Sequence, residues 1–82
     1  MIPIQEMLHR MQWDPQFAKD DLVIGYYDRV GHRVVRVPLH RVHLEKGEHF
    51  SFEAVEDDGT THMVPFHRVH EVWRNGELIW LR

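Results

Sequence analysis

Leu22-Val23-Ile24-Gly25-Tyr26-Tyr27-Asp28-Arg29 is the stretch whose reading decides the fold. Before it, apolar residues recur at helical spacing. Ile4, Met7, Leu8 and Met11 form one stripe, with Gln5, Glu6, His9, Arg10 and Gln12 on the wet side. From Leu22 the chain turns β-branched and aromatic and its period drops to two, which predicts a strand over Leu22–Tyr27. No later stretch carries a helical stripe. Upstream, Pro3 suits a first helical position, Trp13 closes the helix, and Asp14-Pro15 reads as a cap plus first-turn proline for a short turn over Asp14–Ala18.

Downstream, turns and strands alternate. Asp28–His32 reads as a turn, Arg33–Val37 as a strand running into Pro38, and Glu45–His49 as a polar loop around Gly47. Phe50, Phe52 and Ala54 fall on one face of the next strand. Asp57-Asp58-Gly59 is a hairpin signal, with Thr61–Val64 returning. Asn75-Gly76 is the type I′ dipeptide. It predicts pairing of Val72–Arg74 with Glu77–Ile79, Arg74 opposite Glu77 and Trp73 opposite Leu78. The expected fold is a single α+β domain over residues 1–82, with an N-terminal helix packed on an antiparallel sheet of five or six short strands, curling toward a barrel. Trp13, Phe50, Phe52, Phe66 and Trp80 are expected to pack. Tyr27, alternating with the row Leu22, Ile24 and Tyr26, is the aromatic expected to stay exposed.

At 82 residues the chain is one domain's worth, and such a domain buries roughly 60–65% of its surface on folding. Hydrophobic residues at 43% and charged residues at 28% describe an ordinary globular composition. The absence of cysteine excludes a disulfide scaffold, a cysteine nucleophile, an iron–sulfur cluster and a thiolate zinc site, and it fits a cytoplasmic protein. No apolar run approaches the ~20 residues of a membrane span, and no signal segment is expected. A formal charge of −3 excludes a strongly basic grip on average but not a local basic patch. Histidine is abundant, 8 of 82 residues, so mild acid moves the net charge toward positive.

The chain contains a repeat. Val37-Pro38-Leu39-His40-Arg41-Val42-His43 returns as Val64-Pro65-Phe66-His67-Arg68-Val69-His70, 27 residues later and identical at six of seven positions. One reading is a shared strand-to-corner device, with proline ending each ladder. The other is that two His-Arg pairs face one ligand. Arginine offers a planar fork of donors matching phosphate oxygens. Between Arg29 and His43 lie Arg29, His32, Arg33, Arg36, His40, Arg41 and His43 with no acid, while acids gather at Glu53–Asp58 and Asp20-Asp21. Nearby Tyr26, Tyr27 and Phe66 offer faces for an unpaired base.

Competing chemistries are weaker. The pairs His40/His43 and His67/His70 supply four imidazoles, yet i and i+3 on a strand point to opposite faces, and no metal or cofactor is expected. His40 and His67 supply the residue types of a two-histidine cyclic phosphodiesterase. The hydroxyl residue that holds phosphate in such repeats is replaced by valine here, and a binding role is favoured over an enzymatic one. A protein-partner scaffold is the third reading, and an exposed Trp73/Trp80 patch would favour it.

Four motifs occur in order: Ile2-Pro3-Ile4-Gln5-Glu6-Met7-Leu8 with Trp13-Asp14-Pro15; Ile24-Gly25-Tyr26-Tyr27-Asp28-Arg29; Val64-Pro65-Phe66-His67-Arg68-Val69; and Gly76-Glu77-Leu78-Ile79-Trp80. In these the chain resembles the RNA cyclic group end recognition domain family, small stand-alone proteins common in archaea and found in bacteria. The resemblance implies a module for RNA ends, 2′,3′-cyclic phosphate termini in particular, that acts with RNA-processing or repair proteins. It implies that Arg68 binds the terminal phosphate and His67 donates to it or to a ribose oxygen. Arg29 then holds the neighbouring phosphate, Tyr27 stacks the terminal base, and Asp28 orients Arg29 or caps the turn. His40 and Arg41 are secondary candidates, because the family shows only the proline and an apolar residue at that place.

Overall fold

In the computed structural model, which describes residues 3–82, the apolar stripe forms helix α1 (Ile4–Trp13). Ile2, which opens the first motif, lies outside the described residues. Ile4, Leu8 and Met11 are buried, Leu8 completely, and Met7 packs half-buried against the same core. Pro3 is the cap rather than the first helical residue: its backbone is extended (φ −58°, ψ 138°), and its carbonyl accepts the Met7 amide at 3.0 Å. Asp14 caps a 3-10 turn over Pro15–Phe17 by accepting the Gln16 amide at 3.0 Å. Trp13 is 76% exposed, against expectation. It lies two residues past Met11, on the helix side away from the buried stripe. Among the described residues no helix is long and apolar enough to cross a membrane.

The remainder is antiparallel strands: β1 (Leu22–Asp28), β2 (Arg33–Pro38), β3 (Val42–His43), β4 (Ser51–Val55), β5 (Thr61–Pro65), β6 (Val69–Arg74) and β7 (Glu77–Leu81). They form two sheets, β2-β1-β6-β7 and β3-β4-β5, rather than one sheet of five or six strands, and no closed barrel. The repeat explains the difference. After each proline, Pro38 and Pro65, the chain makes a 3-10 corner (Leu39–Arg41, Phe66–Arg68) and enters the other sheet. The first copy carries it from the four-stranded sheet to the three-stranded one, and the second carries it back. In both copies the two valines and the apolar residue between them are buried (Val37, Leu39 and Val42; Val64, Phe66 and Val69). The corner is a structural device used twice.

Between the sheets lies one core, with Tyr26 edge-on to Phe52 (6.4 Å) and Phe52 against Phe66 (5.5 Å). Phe50 is 78% exposed, because β4 begins only at Ser51 and the alternation does not reach back to it. The turn at Asn75-Gly76 has positive φ at both residues (52° and 82°), as a type I′ hairpin requires. Arg74 pairs with Glu77 and Trp73 with Leu78, as expected. Beyond that the register shifts, and Val72 pairs with Trp80. Ile79 is the extra residue of this bulge, which turns Trp80 into the core and leaves Ile79 at the surface.

Candidate functional site

β2 and β5 are both edge strands, and no ladder joins them. A cleft occupies the open seam and has two lobes. The smaller, about 390 Å³, is lined by Tyr27, Asp28, Arg33, Glu56, His62 and Arg68, among others. The larger, about 640 Å³, runs beside Pro38, His40 and Arg41 toward Asp57 and Asp58. Tyr26, Val35 and Glu56 line both, so the lobes are continuous. Both volumes suit a small-molecule or nucleotide-sized ligand.

The cations are unevenly committed. Of eight arginines, Arg10 pairs with Glu6, Arg36 with Glu71, Arg41 with Asp57 and Arg74 with Asp20, while Arg82 donates to the Val69 carbonyl. Arg29, Arg33 and Arg68 have no ion pair or hydrogen bond among the described residues. Two of these three line the smaller lobe. Its carboxylates are occupied locally. Asp28 Oδ1 accepts the Val30 amide at 3.0 Å and so caps the β1–β2 turn, and Glu56 pairs with His62 at 3.3 Å. The floor is Tyr26, whose phenol burial pushes above its usual range, with the Glu56 and Asp28 charges adding to the shift. It is therefore a neutral hydrogen-bond donor near neutral pH.

Tyr27 is half-buried rather than fully exposed. A bulge between Val69 and Glu71 leaves His70 without a partner on β1, and the His70 ring lies parallel to Tyr27 at 5.9 Å and 12°. The Tyr27 hydroxyl is 3.4 Å from His32 Nδ1. One face of the ring is thus occupied by an imidazole.

The fold gathers Tyr27, Asp28 and Arg68 into one lobe. Arg29 stands on the exposed turn, and exposed His67 lines neither lobe. His40 and Arg41 line the larger one. Of the polar lining, Arg33 entered the sequence reading only as one member of the basic run between Arg29 and His43, and His62 was not singled out. The signal was present in the alternation: Arg33 shares a strand face with Val35 and Val37, and His62 shares one with buried Val64. Each is the polar end of an inward row. No group of three or more metal-binding side chains occurs among the described residues.

The model of the MJ1316 RNA cyclic group end recognition domain matches residues 1–82, the whole chain. The chain belongs to this family. The family description indicates recognition of RNA ends, and recognition suggests binding rather than catalysis. No curated protein and no solved structure matches the chain.

Proposed function

We propose that the cleft binds the 3′ end of an RNA and takes a 2′,3′-cyclic phosphate in its smaller lobe. The observation that carries this is the pair of uncommitted guanidiniums, Arg33 and Arg68, lining one pocket while most other arginines are engaged. A cyclic phosphate carries one negative charge on two non-bridging oxygens, which suits two forks of donors. Arg33 from β2 and Arg68 from the second corner hold the oxygens. Arg29, on the turn beside them, steers the approaching backbone. Tyr27 stacks the terminal base on the face that His70 leaves open, and Asp28 keeps the turn in shape. Tyr26, a neutral donor on the floor, reaches toward ribose oxygens, and the 2′-oxygen distinguishes RNA from DNA. A protein that reads such ends serves RNA processing or repair.

The competing readings lose their geometric support. His40 lines the larger lobe and His67 neither, so the two histidines of the phosphodiesterase reading share no site. The tryptophan patch of the scaffold reading is not exposed: Trp80 is buried and Arg36 lies 5.3 Å over the half-buried Trp73 ring.

The test is a titration with one short RNA bearing 2′,3′-cyclic phosphate, 3′-phosphate or 3′-hydroxyl, followed by product analysis. The cyclic end is expected to bind tightest and to be recovered intact. Equal affinity for all three ends removes end recognition, and cyclic phosphate opened by the wild-type protein makes it an enzyme.

A further inference from the structure

The two copies of the repeat sit at the two crossings between sheets, and each sends its arginine to a different lobe of the same cleft. Arg68 of the second copy lines the smaller lobe, and Arg41 of the first lines the larger. The lobes meet at Tyr26, Val35 and Glu56. The arginines differ in one respect: Arg68 has no partner among the described residues, whereas Arg41 is ion-paired to Asp57. Asp57 lies in the β4–β5 hairpin loop, which the backbone bonds between Glu56 and Thr60 and from Gly59 to Glu56 close. Its side chain is 93% exposed and that of Arg41 only 34%. The cation is thus held by the corner, and the anion is a solvated turn residue.

We infer that the larger lobe is a second nucleotide site, in which Arg41 takes the phosphate linking the last two nucleotides and Asp57 is the internal anion that this phosphate displaces. The inference rests on the reading of the smaller lobe as the terminal-phosphate site, and it sets the recognised unit at two nucleotides rather than one. The exchange is energetically accessible. An ion pair whose anion is solvated is worth less than a charge-assisted hydrogen bond to phosphate. The other acids of this lobe are engaged: Asp58 accepts the Thr60 amide at 2.8 Å, and Glu56 pairs with His62. Val35, Val37 and Pro38 offer an apolar wall for the penultimate base, and exposed His40 adds a donor at the rim. Asp57 also works as a filter, since a ligand without a phosphate at this position leaves the Arg41 pair intact.

The experiment compares a nucleoside 2′,3′-cyclic phosphate with a dinucleotide carrying the same end, at fixed salt, on wild-type, Asp57→Asn and Arg41→Ala proteins. The dinucleotide is expected to bind more tightly to wild type. Asp57→Asn is expected to tighten it by about two- to fivefold, the worth of the released ion pair. Arg41→Ala is expected to remove the dinucleotide's advantage, a loss of about tenfold or more. Both variants are expected to bind the mononucleotide as wild type does, which also shows that they are folded. If the mononucleotide binds and Arg68→Ala weakens it, but the Arg41 and Asp57 changes leave the dinucleotide untouched, the second site is wrong and the first stands. If neither ligand binds the wild-type protein, both fall.

Discussion

Arg36 and Glu71 meet at 2.5 Å although a whole strand lies between the strands that carry them. Arg36 on β2 and Glu71 on β6 are both register partners of Gly25 on β1, so the three form one row across the sheet. The missing side chain at Gly25 is the gap through which the other two join. A Cβ there would collide with Glu71 Cγ and Oε1. Gly25→Ala is therefore expected to push the Glu71 side chain aside and to cost about 1–3 kcal/mol, as overpacking does. Thermal unfolding measures it. An unchanged midpoint would mean that Glu71 reroutes without loss.

The same pair gives the protein an acid-sensitive contribution. The hydrogen bond from Arg36 holds the Glu71 carboxyl below its ordinary value of 4.5, with burial opposing and Trp73 and the Arg36 and His70 charges assisting. Asn75 and Arg74 lower Asp20 likewise, and Thr60 lowers Asp58. A folded-state pKa below the unfolded one means that the stabilisation is complete above the ordinary carboxylate range and is lost as pH falls through the folded value. Melting temperature is expected to drop as pH goes below about 4.5. Glu71→Gln should melt lower than wild type at pH 7 and show a flatter acid limb. Parallel curves would place the acid sensitivity elsewhere.

Leu8 is fully buried in the stripe that docks α1. Leu8→Ala is expected to cost about 2–5 kcal/mol. His9, half-buried and off the stripe, serves as the control: His9→Ala should change the denaturant midpoint little. Equal losses at both positions would mean that the helix is held by something other than its apolar face.

In RNA-end binding, Arg68→Ala and Arg33→Ala are each expected to cost about 1.5–3 kcal/mol, the range for hydrogen bonds to charged groups. Lysine at either position should restore only part, because an ammonium lacks the planar fork. Arg29→Ala should cost less and should show mainly as a shallower dependence of affinity on salt. A larger loss from Arg29 than from Arg33 would move the phosphate out of the lobe and onto the turn.

His67 separates the lobe from its surroundings. Because it lines neither lobe, wild type and His67→Gln are expected to show parallel affinity–pH profiles at fixed salt. Divergent profiles would return His67 to the phosphate.

Much of this architecture was legible in local sequence. The 3.6-residue stripe of Ile4, Leu8 and Met11, the cap at Asp14 and the turn at Asn75-Gly76 are encoded by short-range chemistry and form as read. Long-range features were not legible. Nothing local says that the strands divide into two sheets, because that division follows from where Pro38 and Pro65 interrupt pairing between distant segments. The bulge at Ile79 escaped for a similar reason: one extra residue inverts the alternation on which Trp80's neighbours were assigned. Of the lobe's lining, Tyr27, Asp28 and Arg68 were named through the family resemblance and Arg33 only as one of a basic run, whereas placing Arg33 and His62 on the cleft needed strand parity read through to the open end of the seam.

Residues 42–65, the whole three-stranded sheet, are an uninterrupted piece of chain hung between two near-identical corners. Topologically it is an insert in a four-stranded frame, attached at two points of like construction. Since no ladder crosses the seam, the side chains that line it help to set the width of the cleft. Val35 and Val64, which face it from either side, are spacers between two jaws. Resizing them would retune which ligand fits without touching a single backbone bond of either sheet.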